Sequence, residues 1–343
     1  MSKVLITGAT SFIGSHVAEA FCAKGLSVGC LVRPDSDLEN IKGLPVQLVY
    51  GDITDEKSLV EAFQGYDWVI HMAALAKDWG GYQKFYRVNV EGTLNVLRAC
   101  LKNDIKNVII TSSISVYGEE NSRQIKSEDS PHQAHYHYFL DKIFPCQMNY
   151  YRDTKALAKE EAMAFAKEQG LNLTIIEPVW VYGEREFNTG FFDYLKTAKS
   201  RMPILPGSKA NKFHVIYVKD LARAYYFAFQ HRLSGINSLI IGNKETEKMD
   251  RIYALFCEKA KIKKPLIAPK FIFYPIGFLM ELIYTVFRVK KAPLLTRGRV
   301  NMFYDNIQYS TKKAEKIIDF TSEYSLEEGI ERTVKWYQER KLI

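Results

Sequence analysis

The chain has 343 residues, 47% of them hydrophobic, which is enough for one large or two intimate domains around an ordinary core. Its 47 Lys and Arg exceed its 39 Asp and Glu by 8; this modest basic excess suits anionic small molecules or a membrane surface, and with no arginine-rich arm it argues against nucleic acid. The five cysteines are scattered, odd in number and without C-x-x-C spacing, so they read as buried thiols in a reducing compartment.

Strand and helix alternate through the first half. Short apolar runs predict strands at Val4–Thr7, Val28–Val32, Val46–Tyr50, Trp68–His71 and Val108–Ser112. Helical patterns separate them at Gly14–Lys24, Ser58–Phe63 and Tyr86–Lys102. A helix at Tyr151–Gln169 and a strand at Leu173–Pro178 follow. Such βαβ repetition implies an α/β fold: a doubly wound parallel sheet of Rossmann type, with its ligand at the carboxyl ends of the strands. Beyond Pro178 the alternation loosens, and helices resume at Val218–His231, Asp250–Ala260 and Ser325–Arg340. The expected division is a dinucleotide-binding domain of residues 1–178 plus 216–234, and a smaller substrate-binding lobe made mainly of 179–215 and 235–343. The first strand begins at Lys3, which leaves no room for a signal peptide, so the expected location is cytoplasmic.

Two motifs carry the chemistry. Residues 3–14, KVLITGATSFIG, run from a strand through a glycine turn into a helix. Gly8 permits the tight turn, Gly14 allows helix and strand to pack closely, and the helix N-terminus offers free N–H groups to a pyrophosphate. In YYRDTKALAKEEA, Tyr151 and Lys155 stand one helical turn apart, whereas Tyr150 has Thr154 in that register. A tyrosine with its ordinary pKa of ~10 is a poor acid–base group, and a lysine ammonium a turn away favours its phenolate. Ser113, in ITSSISVYG, stands between these two motifs. At the tip of the second strand stand Val32 and Arg33 rather than a carboxylate; an arginine there favours a 2′-phosphate, hence NADP, with NAD as the second candidate.

With TGATSFIG, GDITD, HMAAL, NVEGT, TSSISVYG and YRDTK in this order, the chain resembles the extended short-chain dehydrogenase/reductase superfamily over essentially its whole length. Within it, the chain looks most like the branch of 3β-hydroxysteroid dehydrogenases, dihydroflavonol reductases and NAD-dependent epimerase/dehydratases. The resemblance implies Ser113, Tyr151 and Lys155 as catalytic residues, Ser113 being chosen over Ser112 by its distance from Tyr117. It implies a cofactor site of Gly8, Thr10, Ser11, Phe12, Ile13, Gly14, Arg33, Asp52, Ile53, Ala73, Ala74, Lys77, Asn89, Thr111, Tyr151, Lys155, Pro178 and Val181. Asn89 either braces the site or only caps packing between helices. Three departures stand out: Ser11 replaces the middle glycine of the turn, Glu177 replaces the arginine of the family's RPxxVYG element, and Tyr217 replaces a frequent histidine. Ile114 and Ser115 stand where sugar 4,6-dehydratases carry acidic residues, which argues against that reaction. The resemblance also implies a homodimer pairing Tyr86–Lys102 and Tyr151–Gln169 across a twofold axis.

The expected activity is an NADP(H)-dependent oxidoreductase that interconverts a hydroxyl and a ketone on a small apolar substrate. The alternative is a nucleotide-sugar epimerase with tightly bound NAD(P), using Arg185, Arg201, Lys212 and Arg223 on a diphosphate. A non-catalytic nucleotide-binding protein on the same fold is disfavoured by the intact triad. The stretch Phe271–Val289 is apolar and aromatic and is followed by Lys290 and Lys291; Pro275, Glu281 and Arg288 argue against a membrane span. It reads as a buried or dimer-contact helix, or as a peripheral membrane contact through 271–291, which would make the cytoplasmic protein membrane-associated. Residues 131–150 form an insertion expected to act as a lid. Its His132, His135 and His137 lack the carboxylates or cysteines of a metal site, and no metal is expected.

Overall fold

A computed structural model describes residues 2–118, 124–186, 190–200 and 203–343. Its centre is a seven-stranded sheet of β1 (Lys3–Thr7), β2 (Ser27–Val32), β3 (Val46–Tyr50), β4 (Trp68–His71), β5 (Asn107–Thr111), β6 (Asn172–Pro178) and β7 (Ile236–Ile241). The strand order is β7-β6-β5-β4-β1-β2-β3, parallel throughout. The order reverses between β1 and β4, and the crevice at their carboxyl ends is where a doubly wound sheet takes its ligand.

Side chains alternate across each strand, so the sheet feeds two separate cores. Val4, Ile6, Val28, Cys30, Ile70 and Ile109 point to one face, where α1 (Phe12–Ala23) packs against the later helix Val218–His231. Leu5, Leu31, Val69, Val108 and Ile110 point to the other, under α2 (Glu56–Ala62), α3 (Gly92–Lys102) and α4 (Met148–Gln169). The strands are therefore apolar on both sides, as a parallel sheet between helix layers requires.

The lobe holds α5 (Gly190–Ala198), α7 (Met249–Lys259), α8 (Lys270–Val286) and α9 (Arg297–Met302), with α6 being Val218–His231 on the sheet. Short strand pairs 180–182 with 215–217, 204–206 with 266–268 and 212–213 with 247–248 stitch it together. Two further helices are α10 (Lys312–Ile318), against β7, and α11 (Leu326–Glu339), against α7.

Two expectations change. Residues 235–343 are not uniformly lobe, because Ile236–Ile241 is the seventh sheet strand, paired with β6 from Ile236↔Leu173 to Ile241↔Pro178. Helix α6 is thus the crossover of one more βαβ unit; Asn237 and Ser238 broke the apolar run that would have announced the strand. Nor is Tyr86–Lys102 one regular helix: Tyr86–Glu91 is a π-helical segment preceding α3. Such segments are frequent at functional sites, and this one carries the buried Asn89.

Candidate active site

A cleft of about 2110 Å³ runs from the β1–α1 turn to the lobe. Of the residues expected to bind cofactor or catalyse, all but Gly14 and Asn89 line it. Gly8 has φ +73°, and a Cβ on it would stand 2.7 Å from the Ala73 nitrogen. One on Gly14 would stand 2.1 Å from the Gly8 carbonyl oxygen, so this glycine serves the close approach of α1 to β1 rather than the ligand. Ser11, in place of a glycine, caps α1: its Oγ accepts from the Gly14 N–H at 3.2 Å. Its hydroxymethyl group therefore folds back on the helix, whose first residues Phe12 and Ile13 line the cleft.

The floor beside Ala73 and Ala74 is pinned by a buried relay. Thr93 donates to the Asn89 carbonyl at 2.6 Å and so accepts from His71 Nε2 at 3.1 Å. His71 Nδ1 then accepts from Thr7 Oγ1 at 2.8 Å, and Thr7 Oγ1 accepts the N–H groups of Met72 and Ala73, both at 3.2 Å. Burial, with help from the Lys155 cation, pushes the His71 pKa down to about 3, so the ring is neutral and the relay keeps one direction. Sequence reasoning missed His71; nothing but its place at the tip of β4 could have signalled it. Asn89 does brace the site. Its Oδ1 accepts from the Leu75 N–H at 2.8 Å and its Nδ2 donates to Thr154 Oγ1 at 3.1 Å, tying the floor loop to α4 next to Lys155.

At the adenosine end, Arg33 is 58% exposed and its Nε lies 3.2 Å from Asp35 Oδ1. Asp52 is occupied locally, its Oδ1 accepting from the Thr54 N–H and Oγ1, both at 2.8 Å.

At the other end, Ser113 opens the turn Ile114–Tyr117, its Oγ accepting from the Ser115 N–H at 3.2 Å. The Oγ atoms of Ser112 and Ser115, also on the cleft, are hidden from solvent and have no hydrogen-bond partner among the described residues. Tyr151 and Lys155 rise from α4 on the same wall. Lys155 is 6% exposed, and its Nζ donates to the Thr111 carbonyl at 2.6 Å. Burial lowers its pKa from 10.5 to about 8, opposed by the carboxylate of Glu177. The Thr111 hydroxyl in turn shares a 2.7 Å hydrogen bond with Tyr225.

Glu177, the departure from RPxxVYG, is fully buried. Its Oε1 lies 2.9 Å from Lys159 Nζ and its Oε2 accepts from Tyr117 OH at 2.6 Å, while Lys159 also donates to Tyr117 OH at 2.9 Å. Tyr217 OH donates to the Glu184 carboxylate at 2.7 Å. Of the cations considered for a diphosphate, Arg185 lines the cleft but is tied to Glu19 at 2.7 Å, and Arg223 is held by Asp220 and Glu323 away from it. Lys212 is exposed outside the cleft, and Arg201 lies outside the described residues.

The opposite wall belongs to the lobe and is rich in aromatic and aliphatic groups, Trp180, Leu205, Phe213, Tyr253, Phe273 and Phe303, with Asp193, Arg288, Lys290 and Lys291 also on the cleft. The insertion is not a lid. Only Gln147, Met148 and Tyr150 of it reach the cleft, while Phe139 and Phe144 pack on Phe278 of α8. His132 faces Glu160 at 3.0 Å, and His135 sits between Asp141 at 2.7 Å and Asp153 at 2.9 Å, raising its pKa. Among the described residues, no three His, Cys, Asp or Glu side chains form a metal cluster. All five cysteines are free, four of them buried.

Residues 4–242 match the NAD dependent epimerase/dehydratase family. The chain belongs to it. It is an NAD(P)-dependent enzyme of the extended short-chain dehydrogenase/reductase type. It is 26% identical to 2-alkyl-3-oxoalkanoate reductase of Stenotrophomonas maltophilia, with 96% of this chain and 98% of that protein covered. It is 25% identical to the decarboxylating sterol-4-alpha-carboxylate 3-dehydrogenase erg26 of Schizosaccharomyces pombe, covering 99% of both. The crystal structure of gox2253 superimposes with a TM-score of 0.81 at 24% identity over the whole of both chains.

Proposed function

We propose that this enzyme is an NADP(H)-dependent oxidoreductase that interconverts a secondary hydroxyl and a ketone on an apolar substrate. The observation that carries the reading is the cleft itself, with Ser113, Tyr151 and Lys155 on one wall and the aromatic lobe on the other. Two relatives act, by their names, on an oxoalkanoate and a sterol carboxylate. The Gly8 turn and the open N-terminus of α1 fit a pyrophosphate, Ala73 and Ala74 leave room for a ribose, and Arg33 stands without a strand-tip carboxylate to repel a 2′-phosphate. When bound there, a nicotinamide supplies the hydride exchange at carbon.

The protein's part is to manage the proton and the oxygen. Ser113 Oγ donates to the substrate oxygen and holds it beside Tyr151. Tyr151 gives the proton to that oxygen in reduction and takes it in oxidation. Lys155, with a pKa of about 8, remains an ammonium at neutral pH, and its charge favours the phenolate one turn away. The lobe's aromatic wall excludes water and takes up the apolar body of the substrate.

The test is a purified-enzyme assay with NADPH and an apolar 3-oxo acid, following the nicotinamide absorbance. Turnover that disappears in Tyr151→Phe, with dinucleotide affinity retained, is the expected result. Full turnover in that variant eliminates the assignment of the proton donor, and conversion of a UDP-sugar without net absorbance change favours epimerisation instead.

A further inference from the structure

Residues 261–300 contain nine Lys and Arg (261, 263, 264, 270, 288, 290, 291, 297 and 299) and one acid, Glu281, a net of 9 − 1 = +8. The whole chain has 47 − 39 = +8, so the other 303 residues, with 38 of each sign, are neutral. The basic excess of this protein thus falls within one stretch of chain. Three of the nine cations are neutralised in ion pairs: Lys264 with Asp250, Arg297 with Glu281 and Arg299 with Asp78. Lys261, Lys263, Lys270, Arg288, Lys290 and Lys291 have no carboxylate partner among the described residues.

The same stretch carries many exposed apolar groups. On α8, Ile272, Ile276, Leu279, Ile283 and Val286 recur at helical spacing, and all five are exposed, Val286 to 65%. Only Gly277 and Glu281 of this 17-residue helix are buried. Phe271 is 76% and Phe287 75% exposed at its two ends. The insertion adds Phe139, Leu140 and Ile143, exposed to 60, 44 and 83%. It is fastened to the helix deliberately: Glu281 binds Arg297 through both oxygens, at 2.9 and 3.0 Å, and Arg297 donates to the carbonyls of Phe139 and Phe144. The buried pair therefore holds two apolar elements on one side of the lobe. The cleft opens beside them, since Phe273, Tyr284, Val289 and Leu294 line it, with Lys290 and Lys291 at the same edge.

We propose that α8 and the 139–143 loop form a docking face for an anionic lipid surface, lying in the interface with Lys270, Lys290 and Lys291 among the headgroups. No described helix is long and apolar enough to cross a membrane, which leaves lying on one. A second copy of the chain is the poorer occupant, because two surfaces of this charge repel when they meet. The cleft mouth then faces the lipid, and an apolar substrate enters from it without crossing water. That last step rests on the proposed reaction; the docking does not, and vesicle binding reads it without any turnover.

The experiment is co-sedimentation of the full chain with vesicles of phosphatidylcholine, with and without phosphatidylglycerol, at low and high salt. Binding to the phosphatidylglycerol vesicles, weakened by salt, is expected. Lys290→Ala with Lys291→Ala should weaken it about 25-fold, at about fivefold per charge. Ile276→Gln with Leu279→Gln and Ile283→Gln, outward side chains whose loss leaves the core intact, should weaken it about tenfold or more. Phe271→Ser with Phe287→Ser is the second apolar variant should the first lose its melting transition. Absence of binding, equal binding to both vesicle types, or apolar variants that bind like the parent overturn the proposal. So does a sedimentation-velocity dimer that those same apolar substitutions dissociate.

Discussion

Lys155 should make the enzyme less stable than it would be without its charge. Its ammonium is buried, and the fall of its pKa from 10.5 to about 8 corresponds to about 3 kcal/mol of penalty on the charged folded form. Lys155→Met removes that penalty but leaves the Thr111 carbonyl without its 2.6 Å donor, which costs about 1 kcal/mol. The expected net gain is about 2 kcal/mol at pH 7. With a melting entropy of about 0.7 kcal/mol/K for a chain of this length, that is a rise of about 3 °C in Tm. Between pH 8 and 10.5 the unfolded chain binds more protons at this lysine than the folded one, so the wild type gains stability as pH rises through that window. The advantage of the variant is therefore full below about 8 and fades toward 10.5. Scanning calorimetry of both proteins without dinucleotide, across that range, measures it, because every other titration is common to the two. A variant that melts at or below the wild type at pH 7, or a gap that does not narrow with pH, refutes the reasoning. Activity should be lost in either case.

Arg33→Ala should weaken NADP binding about tenfold or more, by the ~1.5–3 kcal/mol of a charge-assisted hydrogen bond, and leave NAD nearly unchanged; equal losses in fluorescence titrations with both would remove the 2′-phosphate role. Gly8→Ala places a Cβ 2.7 Å from the Ala73 nitrogen at φ +73°, so dinucleotide titration should show no saturable binding and Tm should fall, at about 1–3 kcal/mol of strain. Glu177→Gln leaves Lys159, 3% exposed, without its counter-ion, a loss of about 3–5 kcal/mol by denaturant unfolding. Adding Lys159→Met to it should recover most of that loss, and failure to recover would mean that the pair is not the unit.

Local spacing carried most of what was legible. The strand–turn–helix at residues 3–14 and the Tyr151–Lys155 register each lie within one stretch of chain, and residues of both line the cleft. What was hidden has partners far away in sequence. The edge strand Ile236–Ile241 is defined by β6, some sixty residues earlier, and its polar Asn237 and Ser238 masked it. His71 acquires its role from Thr7 and Thr93, and Asn89 from Leu75 and Thr154 through a π-helical segment that no apolar periodicity announces. The insertion was misread for the same reason. Its entry beside Tyr151 suggested a lid, but Arg297, reached only after another hundred and fifty residues, anchors it to α8.

The glutamate at 177 shows why a motif departure has to be read with its neighbours. Lys155 and Lys159 are one turn apart on α4 and both are buried, so two cations share one side of the helix behind the cleft. An arginine at 177 would add a third charge of the same sign in low dielectric, where a repulsion of this kind outweighs any hydrogen bond it could form. Glu177 offsets Lys159 at 2.9 Å, takes the Tyr117 proton donor, and by its charge holds the Lys155 pKa higher than burial alone would. The substitution therefore belongs to a pair, Lys159 with Glu177, in which the Glu177 charge also opposes the burial that lowers the Lys155 pKa. A reading of position 177 by itself predicts a lost ligand contact; the reading with Lys159 predicts an intact proton-transfer site, and the Glu177→Gln and Lys159→Met double variant separates the two.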